Sequence, residues 1–370
     1  MSNDADLSRA RLLFEPDRLV QARLARGLKK VELAQRVGVT AAAIGQYEGG
    51  RTRPSASVIG KIAVALHFPV AFFEAGRPIS SLSEERAHFR RLRATSAGAR
   101  ARQVAYLSLL EELVARVERD VQLPVVDIPS FDLESGDRRE IESTAARVRA
   151  AWGIGNGPIA NVIALLESKG CVVVRLASEE EGIDAYSRWS GERPIIVLTL
   201  DKRDAARSNF DAAHELGHLV MHPDPEPGSR QAEEQAQMFA AAFLMPAEAI
   251  RSELPRRFDL PTFFALKQRW RVSVQALLYR ARVLGTVSEP MYKRAMTLIS
   301  MWGWRTGEPE PIAGGSDPFV LSAALDLLRT ARGIDSATIA TEMALPSDLM
   351  AMFVPARSER LRLVVPNQSS

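Results

Sequence analysis

Three of the five histidines in this 370-residue chain fall within nine residues, in the run His214-Glu215-Leu216-Gly217-His218-Leu219-Val220-Met221-His222. His214 and His218 are four positions apart, so on a helix they point the same way. Two neutral imidazoles on one face can hold one zinc, and Glu215 between them is placed to take a proton from water. A plain histidine pair on a helix surface is the competing reading of the motif alone, and the flanking residues argue against it. Ile195-Ile196-Val197-Leu198 is a short, apolar, β-branched run that reads as a strand. Ser208-Asn209-Phe210-Asp211 reads as a helix start with Asp211 as N-cap, followed by a helix over Ala212–Met221 that Pro223 and Pro225 end.

A catalytic zinc takes three protein ligands and leaves one position open for water. The next predicted helix begins near Gln231 and runs to Met245. Its apolar positions 236, 239, 240, 243 and 244 recur at helical spacing, so that face is core. Glu233 lies close to that stripe and is the first candidate for a third ligand. Glu234 is the alternative, and an ordinary surface carboxylate pair at a helix start is the bland one.

The stretch 209–246, NFDAAHELGHLVMH…EEQAQMFAAAFLMP, resembles the ImmA/IrrE family of metallopeptidases. Members carry H-E-x-x-H, a nearby downstream histidine, then E-x-x-A-N-x-F-A-A-x-x-L-M-P. The resemblance implies a small α+β zincin-like domain that hydrolyses amides. It implies zinc held by His214, His218 and Glu233, with Glu215 as general base. His222 matches the downstream histidine; with three ligands already supplied, it is expected to support them rather than join them. Gln237 stands where the family has asparagine, which bears on helix packing more than on chemistry. Gly182-Ile183-Asp184-Ala185-Tyr186-Ser187, the strand at 194–200, and Gly303-Trp304-Arg305 with Glu308-Pro309 also look like this family. Tyr186, just before that strand, is a candidate for the second oxyanion donor.

Residues 18–74 carry a second pattern. Leu28 to Val37 reads as a helix stopped by Gly38, and after a tight turn Thr40 can cap a helix over Ala41–Glu48. Leu33, Ala34, Val37, Val39 and Ile44 have the spacing of a helix-turn-helix core. Pro54 and Ser55 open a further helix, and Pro69 starts a fifth. This resembles the Xre/Cro-type DNA-binding domain, whose second motif helix lies in the major groove. The resemblance makes Ala41, Ala42, Gln46 and Tyr47 the groove-side candidates, and the cap Thr40 belongs to the DNA-binding set beside them. Lys29, Lys30, Arg51 and Arg53 complete the expected DNA-binding set, with the two arginines near phosphates. Alanine can touch a thymine methyl but cannot read a hydrogen-bond pattern, so a helix-turn-helix kept for protein binding is the alternative.

Charge supports a polyanionic partner. Residues 18–103 hold 16 basic and 5 acidic side chains, a net +11 inside a chain whose total is only +3. Arg90, Arg91, Arg93, Arg100 and Arg102 carry the basic stretch past the helix-turn-helix. A scaffold without DNA contact is therefore disfavoured. No run of 18 apolar residues could span a membrane, the first residues lack an apolar signal segment, and the single Cys171 sits in an apolar strand. These features fit a cytoplasmic protein, nucleoid-associated when bound to DNA.

The expected architecture is multidomain and mainly α. Residues 1–78 form a five-helix Xre-type helix-turn-helix bundle. Residues 79–140 form a helical connector, amphipathic from about 100 to 120, with a linker at 124–137. Residues 141–290 form the metallopeptidase domain, and 291–370 a helical C-terminal region without assignable chemistry. Gly314-Gly315-Ser316 marks a loop, and the tail from 358 is expected to be loose. Leu321, Leu325 and Leu328 at helical spacing read as packing. The expected function is a DNA-binding regulator, a homodimer on a double-stranded operator. Its zinc endopeptidase domain would cut a partner repressor in stress, phage or mobile-element control. The alternative is an Xre-type regulator or antitoxin whose zinc domain binds a toxin or signal without cutting.

Overall fold

The computed structural model describes residues 4–355 apart from 78, 80–87, 90–95, 177–184, 201–203, 223–228, 306 and 313–316, with only the backbone described at 88–89. Outside the described residues lie Arg90, Arg91 and Arg93, Gly182 to Asp184, Pro223 and Pro225, the Gly314–Ser316 loop and the tail from 358.

The N-terminal bundle comprises α1 (Asp4–Leu12), α2 (Pro16–Ala25), α3 (Lys30–Val37), α4 (Ala41–Glu48) and α5 (Ala56–Leu66). Its local signals act as the sequence suggests. Pro16 opens α2, Gly38 ends α3 at φ 78°, the Thr40 hydroxyl accepts the Ala43 amide at 3.1 Å, and Ser55 caps α5. Two details differ from expectation. The element after Pro69 is a single 3-10 turn over Val70–Phe73. The first helix of the bundle, α1, has no counterpart in the sequence pattern, because it is polar on nearly every side and buries only Ala10.

Helix α6 (Ala97–Glu118) follows the two-residue strand β1 (His88–Phe89). The expected amphipathic stretch is here, but α6 is covered on most of its circumference. Its polar side chains are used internally. On one side, buried Arg18 of α2 donates to both Glu112 oxygens at 2.7 Å, and Gln21 donates to Ser108 at 2.9 Å. On another side, the Glu111 carboxylate pairs with Arg188 at 2.6 Å.

Next come α7 (Arg138–Trp152), α8 (Val162–Ser168), β2 (Val172–Leu176), β3 (Ala185–Ser190), β4 (Arg193–Thr199), α9 (Ala205–Met221) and α10 (Arg230–Leu244). The strands form a four-stranded sheet in the order β1-β3-β4-β2. β2 and β4 are parallel; β3 is antiparallel to both of its neighbours, β4 and β1. The two-residue turn Gly191-Glu192 joins β3 to β4, with Gly191 at φ 57°.

Strand alternation gives the sheet two apolar faces. Val172, Val174, Leu176, Tyr186, Ile195 and Val197 join a cluster with the N-terminal bundle, α6 and the C-terminal helices. Val173, Ala185, Ile196 and Leu198 join a second cluster with α7 to α10. Cys171 is buried beside the second face, and burial pushes its thiol well above the ordinary range, so it is inert.

The remaining helices are α11 (Ala247–Ile250), α12 (Leu260–Trp270), α13 (Val274–Val283), α14 (Glu289–Met301), α15 (Val320–Arg332), α16 (Ser336–Glu342) and α17 (Ser347–Phe353). Glu308 explains the Glu308-Pro309 motif. Its carboxylate accepts the Val274 and Gln275 amides at the start of α13, and the fully buried Lys267 ammonium at 3.1 Å. Leu321, Leu325 and Leu328 are buried in the first cluster. Arg26 of α2 pairs with Asp348 of α17, and Arg116 of α6 with Glu342 of α16. Among the described residues no helix is long and apolar enough to cross a membrane.

The Arg18–Glu112 pair bolts the bundle to α6. Truncating one partner of a buried pair strands the other charge, which costs about 3–5 kcal/mol. Glu112→Ala is expected to lose about 3 kcal/mol, the low end because Gln21 remains in reach of Arg18. Urea unfolding of the full chain measures this, and an unchanged midpoint would refute the bolt.

Candidate metal centre and nucleic-acid interface

Helix α9 carries the histidine run but starts earlier than its sequence suggests. Asp204, not Asp211, is the N-cap, its carboxylate accepting the Ala206 amide at 3.0 Å. The polar residues that mimic a cap are inside the helix with tertiary partners. Ser208 accepts Arg175 at 3.1 Å, and Asn209 donates to the Arg271 carbonyl at 3.1 Å. Local propensity favours a cap at such residues, but here these contacts take up their polar atoms.

His214 and His218 share one face of α9, and their Nε2 atoms stand 3.1 Å apart. Glu233 comes from the first turn of α10. Its Oε2 is 3.4 Å from His214 Nε2 and its Oε1 3.3 Å from His218 Nε2. Glu234 points elsewhere, paired with Arg230 at 2.8 Å on the surface. Ligands about 2.0–2.1 Å from a tetrahedral zinc stand about 3.3 Å from one another. Two imidazole nitrogens and a carboxylate at these separations fit a zinc ion, and among the described residues this is the cluster that could hold a metal. Burial pushes the Glu233 carboxyl up, but its bonds to His214 and His218 outweigh that and hold it well below the ordinary range.

The approach of α10 to α9 has a local cause. A Cβ at Gly217 would stand 3.0 Å from the Phe239 ring and 3.2 Å from the Ala236 Cα. The missing side chain lets the two backbones close until Glu233 reaches the histidines. Glu215, fully buried, points instead toward the sheet, where its Oε2 accepts the Ser187 hydroxyl at 2.7 Å. His222 caps the end of α9 half-buried, its ring 5.7 Å from that of His218. Burial, then the neighbouring His218, push His222 down to about 4, so it is neutral at pH 7.

In the N-terminal bundle, Ala41, Ala42 and Gln46 are exposed on α4, while Tyr47 is half-buried against the core. Lys29 is exposed, and its amide donates to the Glu32 carboxylate at 2.6 Å at the start of α3. Lys30 lies 3.1 Å from Glu48, and Arg53 donates to the Leu12 carbonyl at 2.9 Å, so both are held from within the protein. Arg51 is exposed just beyond α4.

Residues 166–282 match the model of the IrrE N-terminal-like domain, a peptidase family, and residues 17–75 match that of a helix-turn-helix domain. The chain thus carries a helix-turn-helix domain and, further along, an IrrE N-terminal-like domain. Comparison with curated proteins returns no match.

Within the IrrE-like domain one expectation needs correcting. Tyr186 is not at the centre. It lies on the opposite face of β3, fully buried, and its hydroxyl donates to Gln103 of α6 at 2.9 Å. Burial pushes its phenol far above the ordinary range. Strand alternation is the reason: when Tyr186 faces α6, Ser187 must face α9. Alternation puts the two residues on opposite faces, and the packing of α9 on the sheet selects Ser187 as the one that reaches Glu215.

Because Gly217 sets the spacing of the two helices, Gly217→Val is expected to force α10 outward. Overpacking of this kind costs about 1–3 kcal/mol. The variant should melt lower and retain far less zinc than the unaltered chain in thermal unfolding and metal analysis. Full zinc retention would show that the close approach is not what assembles the three donors.

Proposed function

We propose that this protein is a DNA-binding regulator that cuts a partner regulator with a zinc-dependent endopeptidase domain. The observation that carries the reading is the meeting of His214, His218 and Glu233 at zinc-ligand spacing, with Glu215 buried next to His214 in the sequence and on the same helix. When bound, zinc supplies a Lewis acid for the scissile carbonyl and makes water more acidic. Glu215 takes the attacking water's proton and returns it to the leaving amine nitrogen as the C–N bond breaks. His222 stays neutral and packs against His218, keeping that ring in place.

The helix-turn-helix domain brings this activity to DNA. The exposed outer face of α4, with Ala41, Ala42 and Gln46 and the cap Thr40 beside them, would enter the major groove; Arg51 and Lys29 are exposed toward phosphates, and Arg53 and Lys30 would reach them only by giving up the Leu12 carbonyl and Glu48. A face so poor in bidentate donors would take most of its affinity from charge, with a steep salt dependence. The reading includes a homodimer on an operator in the cytoplasm, with a repressor as substrate.

The burial of Glu215, His214 and His218, each at most 1% exposed, favours a second reading. With Glu233 as the one donor that reaches the surface, at 31% exposed, the ion would act as a fixed point beneath a surface that binds a partner or signal, as in an antitoxin that neutralises a toxin, without turning over.

The two readings part at Glu215. If the protein cuts, Glu215→Gln abolishes cleavage of co-expressed neighbouring proteins while metal content and DNA retention persist, and His214→Ala loses the metal. If the centre only binds, Glu215→Gln leaves regulation intact and His214→Ala destroys it. Metal analysis, DNA retention and cleavage scored in the same three samples decide between them.

A further inference from the structure

The residue that faces Glu215 from the sheet is Ser187, and its neighbours in β3 are held in an unusual way. Ser187 is fully buried and donates to Glu215 Oε2 at 2.7 Å. Tyr186 and Arg188 point to the other face of the strand, as alternation requires. Both are tied there to α6. The Tyr186 hydroxyl donates to Gln103 at 2.9 Å, and the Arg188 guanidinium meets the Glu111 carboxylate at 2.6 Å through Nε. The side chains of Arg188 and Glu111 are 4% and 3% exposed, so the pair is desolvated and geometrically strict. Three consecutive residues thus make specific polar contacts, the outer two to α6 and the middle one to the base.

We propose that Ser187 is a positioning residue for Glu215, and that α6 sets its place through Tyr186 and Arg188. The proposal rests on the reading of Glu215 as a general base. A hydroxyl donor on Oε2 fixes the plane of the carboxylate, and so fixes where Oε1 sits relative to His214 and His218. The strand behind Ser187 cannot shift along its axis without breaking two buried contacts to α6. Because α6 also holds Arg18 and Gln21 of the N-terminal bundle, the base is registered against the DNA-binding half of the molecule.

The test uses the zinc-loaded full chain and acetohydroxamate, a small zinc-directed ligand whose hydroxyl proton passes to a neighbouring carboxylate. Binding is followed by calorimetry, so no substrate is needed. Ser187→Ala is expected to weaken acetohydroxamate about tenfold with zinc content unchanged, the size of one hydrogen bond to a charged group. Ser187→Thr, which keeps the hydroxyl, should restore binding to within about twofold. Glu215→Ala should lose at least as much as Ser187→Ala. The double variant should bind no worse than Glu215→Ala alone, because Ser187 acts only through Glu215. Unchanged binding in Ser187→Ala, or losses that multiply in the double variant, would overturn the positioning role and leave the zinc reading standing. A chain that holds no zinc, or that holds zinc yet loses no acetohydroxamate affinity in Glu215→Ala, would overturn the base reading and this inference with it.

Discussion

The close passage of α10 over α9 at Gly217 is the constraint on which the centre depends. A helix presents two histidines on one face at no cost, but the third donor must come from another element. That requires two helices close enough for a short glutamate side chain to span the gap. Gly217, lying between the two histidines, removes the side chain that would hold them apart. Phe239, Ala240 and Phe243 then pack α10 against the shared core, and Ser229 caps its start so that Glu233 sits in the first turn. The motif therefore specifies more than ligands. It also specifies the packing that brings them together.

The sheet divides the molecule's labour. One face supports α9 and α10, which carry His214, His218 and Glu233. The other face is covered by α6, the N-terminal bundle and the C-terminal helices, in one continuous apolar cluster. Helix α6 is the common member, gripping α2 through Arg18 and Glu112 and gripping β3 through Glu111 and Arg188. Helices α15 to α17 close the same side, with Glu167 accepting the Phe319 and Val320 amides at the start of α15. Burial pushes Glu167 up to about 7, while those two amide bonds pull it the other way. The C-terminal helices, for which the sequence offers no chemistry, thus have a packing role that spans both halves of the chain.

Much of this was legible beforehand, for identifiable reasons. The helix-turn-helix and the two motif helices follow from apolar spacing, from caps such as Thr40, and from Gly38, all of which act within a few residues. Periodicity makes Glu233 the first candidate and leaves Glu234 open; the family resemblance names Glu233, and its carboxylate is the one that meets the histidines. What escaped detection depends on contacts distant in sequence. Ser208, Asn209 and Asp211 resemble a cap, so the sequence places the start of α9 too late; in the folded chain Arg175 and Arg271 satisfy the first two. Helix α1 lacks an apolar stripe. Tyr186 and Ser187 could have been distinguished only by knowing which face of β3 meets α9. The burial of α6 could not be read from its pattern, because what covers it is far off in sequence: α2 upstream, β3 and the C-terminal helices downstream.

The central claim is that His214, His218 and Glu233 together hold a zinc ion. The most direct measurement is zinc-edge X-ray absorption on the full chain as purified, beside His214→Ala. The account predicts one zinc per chain in a shell of two imidazole nitrogens and carboxylate or water oxygens, at about 2.0–2.2 Å, lost in the variant. A chain without zinc under conditions that do not strip it, or a zinc shell unaltered in His214→Ala, would contradict it.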